Sequence, residues 1–131
     1  MRRKGPKMKK VIFTENAPAP IGPYSQAILV DNILYCSGQI PLDAVTGEIQ
    51  GKYVEDQTEK VCSNLRAVLA AAGMTFENVV KTTCFLADMG DFAAFNQVYA
   101  KHFISNPARS TVAVKTLPKN VLVEVEVLAA K

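Results

Sequence analysis

A mixed sheet carrying two helices on one face, an α+β class, is the fold this sequence predicts, and three observations predict it. Apolar residues recur at helical spacing in two stretches, one after Glu55 and one after Asp91. The other apolar residues fall in short β-branched runs bounded by Pro, Gly, Asn and Asp. The order is strand, strand, strand, helix, strand, helix, strand, strand. Its two strand-helix-strand units imply right-handed parallel crossovers, which put both helices on the same side of the sheet.

Val11 to Thr14 suits a short first strand. Three prolines among residues 18–23 then forbid helix and demand an extended loop. Ala27 to Val30 and Ile33 to Ser37 form a hairpin turned by Asp31-Asn32. Gly38 ends it with an unobstructed backbone N–H that a ligand can approach. Residues 42–54 read as loop, with a turn at Thr46-Gly47. Val61, Leu65, Val68, Leu69 and Ala72 mark the first helix, with acids in its first turn and Gly73 as its stop. Val79 to Ala87 is the next strand. Asp91 is placed to cap the second helix, whose apolar stripe is Phe92, Phe95, Val98, Tyr99 and Phe103 and which ends at Asn106-Pro107.

Pro107-Ala108-Arg109-Ser110-Thr111 opens a strand reaching Thr116, and Val121 to Leu128 forms the last. That closing run is nearly all β-branched, as in a strand covered on both faces. Alternation puts Val121, Val123, Val125 and Val127 on one face and Leu122, Glu124, Glu126 and Leu128 on the other. A carboxylate among leucines is costly to bury unpaired, so it needs a cation, a water-lined cleft or a subunit boundary. Arg109 is the nearest candidate cation. We expect the sheet face opposite the helices, including Leu122, Thr82, Cys84 and Leu86, to be covered by another copy of the chain.

The chain has 131 residues, enough for one domain with a real core. Its net charge of +3 hides an asymmetry, because residues 1–10 hold six Lys or Arg and the rest hold nine basic against twelve acidic groups. The acidic body repels a nucleic-acid backbone. Residues 1–8 are expected to be a disordered basic extension ahead of a single domain over residues 9–131, and Met8 offers a second possible start. No apolar run reaches the roughly 20 residues that span a bilayer, and the opening is too polar for a signal peptide, so cytoplasmic residence is expected. Cys36, Cys62 and Cys84 lack metal-ligand spacing and read as small buried hydrophobes. The lone histidine, His102, falls late in the second helix, where a capping or surface role suits it better than catalysis.

Ile21-Gly22-Pro23-Tyr24-Ser25-Gln26, Ser37-Gly38-Gln39-Ile40-Pro41, Val80-Lys81-Thr82-Thr83, Asp91-Phe92 with Asn96, Pro107-Ala108-Arg109-Ser110 and Val123-Glu124-Val125-Glu126 together resemble the reactive intermediate deaminase family, RidA subgroup. The resemblance runs from about Lys9 to the end. It implies a chorismate-mutase-like fold assembled as a homotrimer with clefts between subunits, and a last strand lying inside the sheet. The implied activity is hydrolysis of 2-enamine and 2-imine intermediates, such as 2-iminobutanoate and 2-iminopropanoate, to 2-oxoacids and ammonia. No cofactor is implied.

By the same resemblance Arg109 is the carboxylate anchor, Gly38 and Thr111 give backbone N–H donors, and Tyr24, Ser37 and Asn96 line the cleft. Many relatives carry cysteine where Thr111 stands, so a thiol-dependent property is not expected here. Glu124 matches the water-positioning residue, with Glu126 the alternative on the same face. A guanidinium fits an anchor because it offers a carboxylate two parallel donors. A semi-buried carboxylate suits the proton transfer that imine hydrolysis needs. Plainer readings stand beside these: Arg109 paired with Glu124 or Glu126, Tyr24 packed on a core edge, Asn96 solvated and Ser37 satisfying a strand end. Two rival functions are a 2-oxoacid-sensing regulatory module and an RNA-acting translation inhibitor. The acidic body argues against the second.

Overall fold

The last strand of the chain is inserted between two earlier ones. The structure, a computed structural model, describes residues 8–131, so the expected basic extension lies outside the described residues apart from Met8. Strands β1 (Lys9–Ile12), β2 (Ala27–Val30), β3 (Ile33–Cys36), β4 (Val79–Leu86), β5 (Ala108–Ala113) and β6 (Val123–Ala130) form one sheet ordered β1-β2-β3-β6-β4-β5. Helices α1 (Val54–Ala71) and α2 (Phe92–His102) pack together on one face. Strand β6 is antiparallel to both neighbours, and β4 and β5 are parallel, as a crossover through α2 requires.

Hydrophobic alternation decides which face is core. Val123, Val125, Val127 and Ala129 of β6 are buried against Val61, Leu65, Val68 and Leu69 of α1 and Phe95 and Tyr99 of α2. Each buried Val, Leu and Phe side chain contributes roughly 1.5 to 3 kcal/mol through apolar burial. Pairing of Thr82 with Val127, Cys84 with Val125 and Leu86 with Val123 puts these β4 residues on the same helix-covered face, where all three are 0 % exposed. This corrects the expectation that Thr82, Cys84 and Leu86 face away from the helices. Alternation gives two faces for β4 but not which one meets β6, and the register settles that. The uncovered face instead carries Lys81, Thr83 and Phe85, paired with Leu128, Glu126 and Glu124.

Element ends differ in small, explicable ways. The first strand is Lys9–Ile12 rather than Val11 to Thr14, because Thr14 is drawn off by Gln26, whose side chain accepts from the Thr14 amide at 2.7 Å and donates to its carbonyl at 3.1 Å. The fifth strand stops at Ala113, short of Thr116, and the last begins at Val123 after a tight Pro118–Asn120 turn. Asp91 makes no side-chain cap. Asp88 takes that role one turn earlier, accepting from the Gly90 amide at 2.7 Å. Gly73, at φ 72°, follows the end of α1 as expected.

His102 sits at the exposed α1–α2 seam, where its ring and Lys101 both meet the Glu59 carboxylate. Burial raises the thiols of Cys36 and Cys62 to about 12, and all three cysteines are free and buried, matching their reading as core residues. No helix of the described residues is long and apolar enough to cross a membrane.

Candidate functional site

The seven sequence-predicted positions resolve into two groups. The first lies where α2 meets the edge strand β5. Arg109, half-buried, donates from Nη1 to Asn96 Oδ1 at 2.8 Å, and its guanidinium carbon lies 4.7 Å from the Tyr99 ring centre and 5.4 Å from that of Phe92. A cavity of about 330 Å3 opens beside it, lined by Asn96, Tyr99, Pro107 and Arg109 among others. Thr111, two residues along the same strand face, has a buried hydroxyl with no hydrogen-bond partner among the described residues. The Val114 amide donates to Leu86, so alternation along a parallel strand directs the Thr111 amide to the open sheet edge. That is where a donor to a ligand has to point.

The second group surrounds a cavity of about 470 Å3 lined by Tyr24, Ser37, Gly38, Lys119 and Glu124 with apolar Ile21, Ile40 and Leu42. Glu124 extends over Gly38 so closely that a Cβ there would collide with its carboxylate. Glycine is therefore what lets this acid occupy its position. Burial, and secondarily the nearby Glu126 carboxylate, hold the Glu124 carboxyl above the usual range. Ser37 donates to the Ser25 carbonyl at 2.6 Å, which fits its plainer reading as a strand-end residue while leaving it on the cavity wall. The Tyr24 ring is exposed and its hydroxyl accepts from the Ile21 amide at 3.3 Å.

The groups do not meet within one chain. Arg109 pairs with Thr82 and faces the helix side, whereas Glu124 pairs with Phe85 and faces the opposite side. Two strand spacings and three residues of offset set their Cα atoms roughly 14 Å apart. Among the described residues Arg109 has no carboxylate partner, so the expected alternative of an ion pair with Glu124 or Glu126 is not formed within the chain.

Sequence reasoning missed four contributors. Phe92 and Tyr99 read as core stripe, yet both flank the guanidinium. Lys119, at φ 55°, borders the Glu124 cavity and donates to the Gly47 carbonyl at 3.0 Å, and only the Pro118-Lys119-Asn120 break hinted at it. Gln26, 1 % exposed, ties down the proline loop through Thr14, Ala17 and Pro18. Its only signal was its place at the end of the Gly-Pro-Tyr-Ser-Gln run.

Comparison with known proteins covers nearly the whole chain. The family model described as Endoribonuclease L-PSP matches residues 14–131. A RutC family protein of Pyrococcus horikoshii is 55 % identical, over 95 % of this chain and 99 % of the relative. The chloroplastic Reactive Intermediate Deaminase A of Arabidopsis thaliana is 48 % identical, over 92 % of this chain and 65 % of that protein. A crystal structure of a Rid-family protein from Yersinia pestis superposes with a TM-score of 0.91 at 48 % identity, covering 95 % of this chain and 100 % of that one.

Proposed function

The chain belongs to the RutC/RidA family, whose activity is cofactor-independent deamination of reactive enamine and imine intermediates, and we propose that it performs this hydrolysis in clefts completed between copies of itself. The observation that carries the reading is the division of the site. Among the described residues, one face offers a cation with no carboxylate partner, and the other a semi-buried carboxylate beside an open cavity. A second copy is what brings such halves together. The family resemblance supports a homotrimer of chorismate-mutase-like architecture, each subunit one domain over residues 9–131. Buried free thiols suit a reducing cytoplasm.

In this cleft the carboxylate of a small 2-imino acid lies across the Arg109 fork, with the Thr111 and Gly38 amides as further donors. Each charge-assisted bond contributes roughly 1.5 to 3 kcal/mol. Asn96 holds one nitrogen of the fork, while Tyr24 and Ser37 line the approach. Glu124 orients a water against the imine carbon and takes its proton as the C–O bond forms. The raised pKa lets the same carboxyl return that proton to nitrogen, and the carbinolamine collapses to 2-oxoacid and ammonia. Orientation of an already reactive substrate supplies much of the rest.

The test follows the absorbance decay of 2-iminobutanoate generated in situ. Arg109→Ala should abolish accelerated decay without changing assembly by size-exclusion chromatography. Undiminished hydrolysis by Arg109→Ala refutes the anchor. Binding of 2-oxobutanoate without turnover by the wild type would point to the sensing module instead.

A further inference from the structure

The Arg109 guanidinium rests on a built support. Tyr99 lies beneath it with ring centre 4.7 Å from the guanidinium carbon, and on the same ring Phe103 stacks at 4.1 Å and 17°. Phe95 closes a side at 5.5 Å, and the Tyr99 hydroxyl shares a 2.8 Å hydrogen bond with the Thr82 hydroxyl. Thr82 is fully buried and is the residue paired with Arg109 across the strands. Phe95 and Phe103 are buried too. The ring is thus fixed by the core on one side and presents its other surface to the cation. Phe92, Asn96, Tyr99 and Phe103 recur at spacings of four, three and four along α2 and its end, so one helical stripe builds the whole cradle.

We propose that Tyr99, held by Thr82 and Phe103, is the positioning residue that orients the Arg109 guanidinium for a substrate carboxylate. This rests on the reading of Arg109 as the anchor. An arginine side chain on an edge strand has many rotamers, and fixing it only when substrate arrives would cost binding free energy. A ring face holds the guanidinium plane through cation–π attraction while leaving its N–H edges free. Asn96 occupies Nη1, so the remaining edge is available for a carboxylate. Burial holds the Tyr99 phenol above its ordinary pKa, so the ring stays neutral beside the cation while sharing its hydrogen bond with Thr82.

The experiment measures kcat and KM of the assembled protein for 2-iminobutanoate, and for the corresponding 2-imino amide, which lacks the carboxylate. Tyr99→Leu, with its melting temperature recorded, should raise KM for the acid about tenfold while kcat stays within about twofold. Tyr99→Phe keeps the ring and should recover most of that loss, to within about threefold of wild type. Turnover of the amide should not respond to either change. An unaltered KM in Tyr99→Leu overturns the proposal, as does an equal loss on acid and amide, which marks a general packing defect. If Tyr99→Leu fails to fold, Thr82→Val decides: a KM raised about threefold for the acid alone supports the positioning role, and no change refutes it. Arg109→Lys separates this proposal from its premise. A raised KM there with none in Tyr99→Leu sinks only the role of Tyr99, whereas an unchanged KM in Arg109→Lys sinks the anchor itself.

Discussion

One added methyl group at position 38 should silence the reaction while barely touching the fold. In Gly38→Ala the new Cβ would fall on the Glu124 carboxylate, 2.9 Å from its carboxyl carbon and 3.0 Å from Cγ. Those atoms are the far end of a flexible side chain, so Glu124 swings aside and the backbone stays. An off-rotamer glutamate costs about 0.5 to 1.5 kcal/mol. The alanine returns about 0.4 to 1 kcal/mol by restricting the unfolded chain, because Gly38 is not among the positive-φ glycines. The two nearly cancel, and the melting temperature should move by only a few degrees.

Catalysis has no such compensation. A positioned acid–base group contributes about 10²- to 10⁴-fold, and a carboxylate turned from its water loses most of that, so kcat should fall about a hundredfold or more. The Gly38 amide remains, so KM should change little. Following imine decay by absorbance and stability by urea denaturation measures both. Glu124→Gln should show the same loss, and the double variant should be no slower than either single one, because both act through one carboxylate. A Gly38→Ala protein keeping kcat within about threefold of wild type, or losses that multiply in the double variant, would refute Glu124 as the group that handles the water.

Other consequences concern charge and the proline loop. Since burial and then Glu126 raise the Glu124 pKa, the acid limb of the kcat profile should lie above that of an ordinary carboxylate, and Glu126→Gln should shift it downward; an unmoved limb contradicts the coupling. A carboxyl raised in the folded state binds more protons there than when unfolded, so its contribution to stability falls as pH rises from 4.5 through the folded pKa. Glu124→Gln should therefore melt higher than wild type at pH 7 and no higher at pH 3, as calorimetry can check. Gln26→Ala removes four hydrogen bonds tying residues 14–18 to the second strand and should cost about 2 to 3 kcal/mol in urea denaturation, where a loss under 0.5 would show the loop is held otherwise.

What the sequence disclosed and what it withheld follow from the range of each physical signal. Periodicity is local, so both helices and the second strand, Ala27–Val30, emerged as expected, and the valine alternation of the last strand identified its core face. Register is not local. Nothing in Val79–Leu86 by itself says whether Thr82, Cys84 and Leu86 meet the valines or turn away, and the two choices differ by one residue of pairing. The same limit governed the site. Arg109 and Glu124 were each legible as charged groups in apolar strands, but their placement on opposite faces depends on pairing through β4. Tyr99 was hidden for a different reason: a ring with one face on Phe103 and the other under a guanidinium has the same helical spacing as a wholly buried one. The division of the site between two faces accounts for both the legible and the concealed parts. Among the described residues, a glutamate set among apolar neighbours has no cation paired with it, and an arginine supported by aromatics has no carboxylate partner. Both fit the proposed reading, in which another copy and a small acid complete them.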